Sequence, residues 1–334
     1  MAANLKEKIW ETQWAFTRTV ILRSAVEVGL FDAIHRGKGT VGEIARACRS
    51  SSDGVRRILD ALVAMEFLRK GNGRFRLAKD ADKYLVRESS EFIGGILVRS
   101  KMMMETWADL PAVVRSGKPV RKLDVAAKGQ VYYPELAAAL YSATLETAAR
   151  TATSLGAGRR LKDLRILDVA AGSAVWSLAF AARDRGARVT AVDFAPVLKI
   201  TRKFVRANRF DRRYRFLPGD IRELNFGREE YDLAILGQIC HSEGPVWTRR
   251  LLRKTSRALV RGGHLVIAEF VPNDRRTGAL FPLQFSLNMF LLTRDGDTFR
   301  MADYRNWLLK AAFGPPRRIG GIRPPACVLH ARKK

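Results

Sequence analysis

The second half of this chain repeats one pattern: an apolar, strand-like run that ends in a polar residue, followed by a stretch with helical spacing. RILDVAAGSA carries Asp168 and Gly172 after Ile166 and Leu167, RVTAVDF carries Asp193, RFLPGD ends in Asp220, and YDLAILGQICH ends in His241. Continuous apolar runs of this kind read as parallel strands buried on both faces. Their alternation with helices specifies a doubly wound α/β sheet. In such a sheet ligands bind outside the carboxyl ends of the strands. Three acids and a histidine at successive strand ends therefore predict a nucleoside-type cofactor site, with a group beside it able to move protons.

A nucleoside cofactor asks three things of that edge. The backbone must approach closely, which Gly172 permits because no Cβ stands in the way, and Ala170 lies on the same turn. A carboxylate must meet the ribose: Asp193, 25 positions beyond Asp168, stands where the second strand ends and can accept both hydroxyls. The adenine needs an edge partner and an apolar face, which Asp220 and Ile221 offer after the third strand. Acids at strand ends also cap helices and turns, and for any one of the three that role stays open. A dinucleotide enzyme needs more glycines to seat a pyrophosphate, so the lone Gly172 argues for a cofactor without phosphate to cradle.

Taken in order, DVAAGSA, AVDF, PGD, ICHSEG and GGHLVIAEFVP resemble the S-adenosylmethionine-dependent O-methyltransferases of the plant caffeate and bacterial polyketide type. The resemblance covers nearly the whole chain. It implies S-adenosyl-L-methionine as cofactor and a Rossmann-like methyltransferase domain, preceded by a mostly α-helical winged-helix dimerisation domain. It implies that His241 is the general base, that Glu269 orients its ring, and that no metal takes part. Asn288 and Met289 fall on the family's pocket helix, within FPLQFSLNMF. Met103 and Trp107 belong to a soft apolar group suited to an aromatic acceptor, although such residues are as often plain core.

Two departures stand out. Alanine occupies 170, 171 and 174, where the family commonly has glycine. Thr298 stands where a second orienting glutamate is expected, with Glu243 or Asp297 as candidate substitutes. C- or N-methylation, or a non-methylating reaction on the same scaffold, stays open beside O-methylation of a small aromatic or polyketide-like hydroxyl.

Three regions are expected: 1–105 (helical dimerisation and winged helix), 106–158 (connecting helices) and 159–334 (catalytic). Residues 5–35 carry more large apolar groups, among them Ile9, Trp10, Trp14 and Phe16, than a short N-terminal segment can bury alone, so a homodimer is expected. In residues 40–79, Thr40 with Glu43 forms a capping box, Ser51 to Asp53 can cap a second helix, and Gly71-Asn72-Gly73 reads as a hairpin turn. Such a module often binds DNA, with Arg56 and Arg57 as candidate contacts. In the family it resembles it is a dimerisation scaffold, and nucleic acid is not expected.

The net charge of +27 over 334 residues suits an anionic partner. Its densest cluster, Lys199, Arg202, Lys203, Arg206, Arg209, Arg212, Arg213 and Arg215, recurs largely at helical spacing and reads more simply as a solvated helix face. No apolar run has the length of a membrane span, and the N-terminus lacks a signal-peptide stretch. Cys48, Cys240 and Cys327 suggest neither a disulfide framework nor a zinc site. A cytoplasmic enzyme is expected.

Overall fold

The computed structural model describes residues 4–123 and 125–334, and the chain divides into two compact units, Met1–Glu105 and Thr106–Lys334. In the first, α1 (Leu5–Val28) starts at a capping box between Asn4 and Glu7 and stops at Gly29, whose φ of 84° closes the helix end. A left-handed glycine at that position satisfies the last carbonyls at little steric cost. Then follow α2 (Leu30–His35), α3 (Val41–Ala47), α4 (Ser52–Ala64), the hairpin β1 (Leu68–Gly71) and β2 (Arg74–Leu77), α5 (Ala81–Leu85) and α6 (Gly94–Ala108). Glu43 accepts from the Thr40 backbone N–H at 2.9 Å, and the Thr40 hydroxyl accepts from the Glu43 N–H at 3.3 Å.

Asn72 and Gly73 turn the hairpin with φ of 49° and 71°, the doubly positive geometry of a two-residue turn. Leu30, Phe31, Ile44, Leu59, Leu62, Leu68 and Phe75 form the core of this unit. Arg56 and Arg57 are exposed and ion-paired on their own helix. Asp53 pairs with both, at 2.9 and 2.8 Å, and Asp60 takes Arg56 as well. Leu5, Ile9, Trp10, Trp14 and Phe16 on α1 are each more than half exposed.

The second unit opens with α7 (Leu110–Ser116) and α8 (Ala126–Leu155). It continues β3 (Arg165–Val169), α9 (Val175–Ala181), β4 (Arg188–Asp193), α10 (Ala195–Ala207), β5 (Tyr214–Pro218), β6 (Tyr231–Gly237), α11 (Cys240–Ala258) and β7 (Leu259–Glu269). It closes with α12 (Leu280–Leu292), α13 (Met301–Lys310), β8 (Arg317–Arg318) and β9 (Cys327–Arg332). The sheet order is β5-β4-β3-β6-β7-β9-β8. The first five strands are parallel, and β9 is antiparallel to both its neighbours.

Alternation along each strand builds two cores. Ile166, Val189, Ala191, Leu233, Ile235 and Val266 face α8, α9 and α10. Leu167, Val169, Ala234, Leu236, Leu265 and Ile267 face α11 and α13. Each buried aliphatic side chain contributes roughly 1.5–3 kcal/mol before entropy is counted. The chain reverses direction across the sheet between β3 and β6, the switch point where such sheets bind ligands.

β7 runs from Leu259 through Gly262 and Gly263. The pairing with β6 slips there, between Tyr231 and Leu233, so the glycines form a bulge. Within the basic cluster, Arg213 is a strut: it donates to the carbonyls of Ala181, Asp184 and Arg185 and lies over the Phe210 ring. Arg206 pairs with Asp211 at 3.2 Å, and Arg202 lies over Phe216 at 4.0 Å. No helix among the described residues is long and apolar enough to cross a membrane.

Candidate active site

The loop after β3 carries three left-handed residues, Ala170, Gly172 and Ala174, with φ of 55°, 56° and 60°. Glycine adopts this conformation freely, whereas an alanine there is strained by roughly 1 kcal/mol. The chain thus keeps a glycine-type path at 170 and 174 while carrying alanine. Ala171 is not among the left-handed residues. The loop is tied down on both sides. Gly172 donates its N–H to Asp193 Oδ2 at 2.9 Å, and its carbonyl accepts from the Thr201 hydroxyl at 2.6 Å.

A Cβ built on Gly172 would meet only the Ala137 methyl, at 3.5 Å. Space therefore lies in front of this turn, where a cofactor's amino-acid end can pass close to the backbone.

Asp193 closes β4. Its two oxygens accept the Gly172 and Phe194 N–H groups at 2.9 and 2.7 Å, and each keeps a lone pair for a ribose hydroxyl. Asp220, past β5, accepts the Arg222 N–H at 2.8 Å. Ile221 is buried in the core on the α11 side, so it offers at most one face.

Burial pushes Asp193 up to about 6 and Asp168 up to about 7, against an ordinary 3.8. Asp168 is held by the Ser177 hydroxyl, which in turn accepts from Tyr214 at 3.1 Å. The folded chain binds these protons more tightly than the unfolded chain, so they favour folding fully below about pH 4. That advantage is lost as pH rises through 6 and 7. The melting temperature of the ligand-free protein should fall between pH 5 and pH 8, and Asp168→Asn should flatten the fall. Matched calorimetric scans across that range check both.

His241 sits one residue into α11, just before the helix is interrupted at Gly244, whose φ is 71°. Glu269 ends the neighbouring strand. One Glu269 oxygen lies 2.7 Å from His241 Nδ1 and the other accepts the His241 backbone N–H at 3.2 Å. A carboxylate at Nδ1 fixes the proton on that nitrogen and leaves the Nε2 lone pair as base. Two rings wall this imidazole and a third backs them. Phe285 meets it edge-on at 4.8 Å, Phe270 lies at 6.3 Å, and Phe281 packs on Phe270 at 5.0 Å.

Reading the sequence missed Phe270 and Phe285 as site residues. Two signals were present: Phe281 and Phe285 are four apart on one helix face, and Phe270 directly follows Glu269.

The other expected site residues are placed unevenly. Trp107 donates its Nε1–H to Asn288 Oδ1 at 3.1 Å, so these two lie together. Met289 is buried in a cluster with Val113, Leu123, Leu291 and Leu292, against which Trp107 and Phe285 also pack. Asn288 and Met289 are adjacent on α12 and so stand about 100° apart around the helix. Met103 lies on α6 and is 43% exposed.

Both candidate substitutes for the missing glutamate have other partners. Glu243 is paired with Arg222 at 2.8 Å. Asp297 is taken by Ser286, Arg276 and the Thr298 N–H. Thr298 is buried and donates to the Pro282 carbonyl at 3.0 Å.

Comparison with known proteins agrees with this architecture. Residues 10–87 match the O-methyltransferase dimerisation domain, and residues 166–263 match a methyltransferase domain. The chain is 27% identical over 332 residues to the tetracenomycin polyketide synthesis 8-O-methyl transferase TcmO of Streptomyces glaucescens, covering 96% of this chain and 95% of that one. It is 26% identical over 313 residues to the N,N-dimethyltransferase OxyT of Streptomyces rimosus, covering 90% and 88%. The structure of human N-acetylserotonin methyltransferase in complex with S-adenosylmethionine superposes with a TM-score of 0.84. It has 20% identity and covers 99% of each chain, a likeness of fold.

Proposed function

The chain belongs to the S-adenosylmethionine-dependent O-methyltransferases that carry an N-terminal dimerisation domain, and from that premise we propose that it methylates a hydroxyl on a small aromatic or polyketide-like acceptor, with His241 as general base. The observation that carries this reading is the 2.7 Å contact of His241 Nδ1 with Glu269, set against a wall of phenylalanines.

Gly172, Asp193, Asp220 and Ile221 are the residues assigned to the cofactor, with Ala170 on the same turn. When bound, S-adenosylmethionine supplies an electrophilic methyl group on a sulfonium. Asp193 accepts the ribose hydroxyls, and the Gly172 turn admits the amino-acid end. The Phe270, Phe281 and Phe285 rings favour a flat apolar acceptor and keep water from the imidazole. His241 Nε2 takes the hydroxyl proton, which raises the nucleophilicity of the oxygen as it meets the methyl. Glu269 holds the ring and stabilises the imidazolium that forms.

The test is turnover of phenolic and amine-bearing polycyclic acceptors, with S-adenosylhomocysteine release and the product's methyl position both measured. A methyl ether made in a His241-dependent reaction supports the proposal. Exclusive N-methylation would instead put the chain with the activity named for OxyT.

The exposed apolar face of α1 is assigned to a second copy of the chain. A homodimer is the economical way to cover Ile9, Trp10, Trp14 and Phe16. Removing residues 1–35 is too blunt a test, because Leu30, Phe31 and Ile34 are core. Trp10→Glu with Trp14→Glu leaves that core intact and should convert dimer to monomer at micromolar concentration, read by size-exclusion chromatography with light scattering. An intact chain that is monomeric there defeats the assignment. The three free cysteines suit a reducing compartment such as the cytoplasm.

A further inference from the structure

Away from the methyl-transfer edge, the same sheet carries a second polar constellation. His264 on β7 and His330 on β9 stack at 5.1 Å, with His264 Nδ1 2.9 Å from His330 Nε2. The antiparallel register sets this up, since His264 pairs with Arg332 and His330 pairs with Val266 and, across β8, with Arg317. Both imidazoles lie on the α8 side of the sheet, where Val266 and Val328 continue the apolar core. They are half-buried and line a cavity of about 340 Å³ with Leu155, Arg160, Leu161 and Arg332.

The charge around this cavity is one-sided. Arg160 donates to the Ser154 carbonyl at 2.9 Å and Arg332 to the Gly262 carbonyl at 3.1 Å. Neither these two nor Arg317 has a carboxylate partner among the described residues. Asp232 of β6 is the acid that acts on His264, and it is occupied by Arg165 through contacts of 2.9 and 3.0 Å. Two imidazoles joined by one hydrogen bond still present one outward N–H and one outward lone pair. Guanidinium forks suit tetrahedral oxyanions.

We propose that this cavity is a binding site for a small phosphate-type oxyanion, held by Arg160, Arg332 and the His264–His330 pair. Without an anion, burial and the surrounding cations keep the pair neutral, with His330 pushed down to about 4 and His264 also lowered. A bound dianion offsets Arg160, Arg317 and Arg332 and lets the pair take up a proton. Affinity therefore rises as pH falls. The volume admits either the free ion or a small phosphomonoester.

The experiment is calorimetric titration of the full-length protein at fixed ionic strength. Sulfate is the probe for pH, because it does not titrate between pH 6 and 8. Binding should be tighter at pH 6 than at pH 8 by about fivefold or more, through proton uptake by the pair. Arg332→Gln and His330→Gln should each weaken it by about tenfold or more, the loss of one charge-assisted hydrogen bond. Arg160→Gln, in the loop after α8, is the substitution least able to disturb the sheet and should act in the same direction. Methyl transfer under saturating cofactor should not change in any of them.

Inorganic phosphate and methyl phosphate, titrated separately, distinguish the free ion from a monoester, and tighter binding of either supports the site. No binding at millimolar sulfate by the folded protein overturns the proposal. So does binding that survives all three substitutions.

Discussion

Replacing His241 by alanine is expected to lower kcat by about 10²–10⁴-fold on an identified acceptor, the usual contribution of a positioned general base. The affinity for S-adenosylmethionine should stay nearly unchanged, because the cofactor is assigned to the ends of β3, β4 and β5. Glu269→Gln should cost less. The amide keeps a partner for Nδ1 but no longer compensates the positive charge that forms on the ring. Single-turnover kinetics with calorimetric cofactor binding separate these effects. Near-parental turnover in His241→Ala would leave catalysis to proximity alone or point to a different reaction.

Asp193→Ala is expected to weaken S-adenosylmethionine binding by about 1.5–3 kcal/mol, or roughly ten- to 150-fold in Kd, through loss of charge-assisted hydrogen bonds to the ribose. The substitution also frees the Gly172 and Phe194 N–H groups that Asp193 now holds, so the loop before α9 loses its anchor as well. Asp193→Asn separates the two contributions. Its amide oxygen can still accept one backbone N–H but carries no charge. Titration calorimetry on folded variants decides, and unchanged affinity in Asp193→Ala would remove the residue from the site. Because burial holds Asp193 at about 6, cofactor binding should also weaken below that pH, where the carboxylate becomes protonated.

The placing of polar residues at the sheet's carboxyl edge was legible because it is written locally. Each of Asp168, Asp193 and His241 follows its own apolar run, and a strand that carries its functional group at its end needs no knowledge of its neighbours. The capping box of Thr40 and Glu43 and the turn at Asn72-Gly73 are local in the same way. Thr298 illustrates the opposite. Its side chain turns to the Pro282 carbonyl, and no pattern within RDGDTFRMADY announces that choice.

The order of strand-like runs, the acids at their ends and the apolar excess of α1 were thus determined by the sequence itself, through periodicity and burial over windows of ten to twenty residues. Tertiary structure alone decided what depends on two distant segments meeting. The pairing of Gly237 with Ala268 brings His241 to Glu269, and the antiparallel return of β9 beside β7 brings His330 to His264. Packing of α12 made Met289 core and turned Phe285 to the imidazole. The backbone path between β3 and α9 held Ala170 and Ala174 in a conformation their own side chains disfavour. Periodicity reports which face of an element is buried; which neighbour buries it is set by the long-range pairing of the sheet.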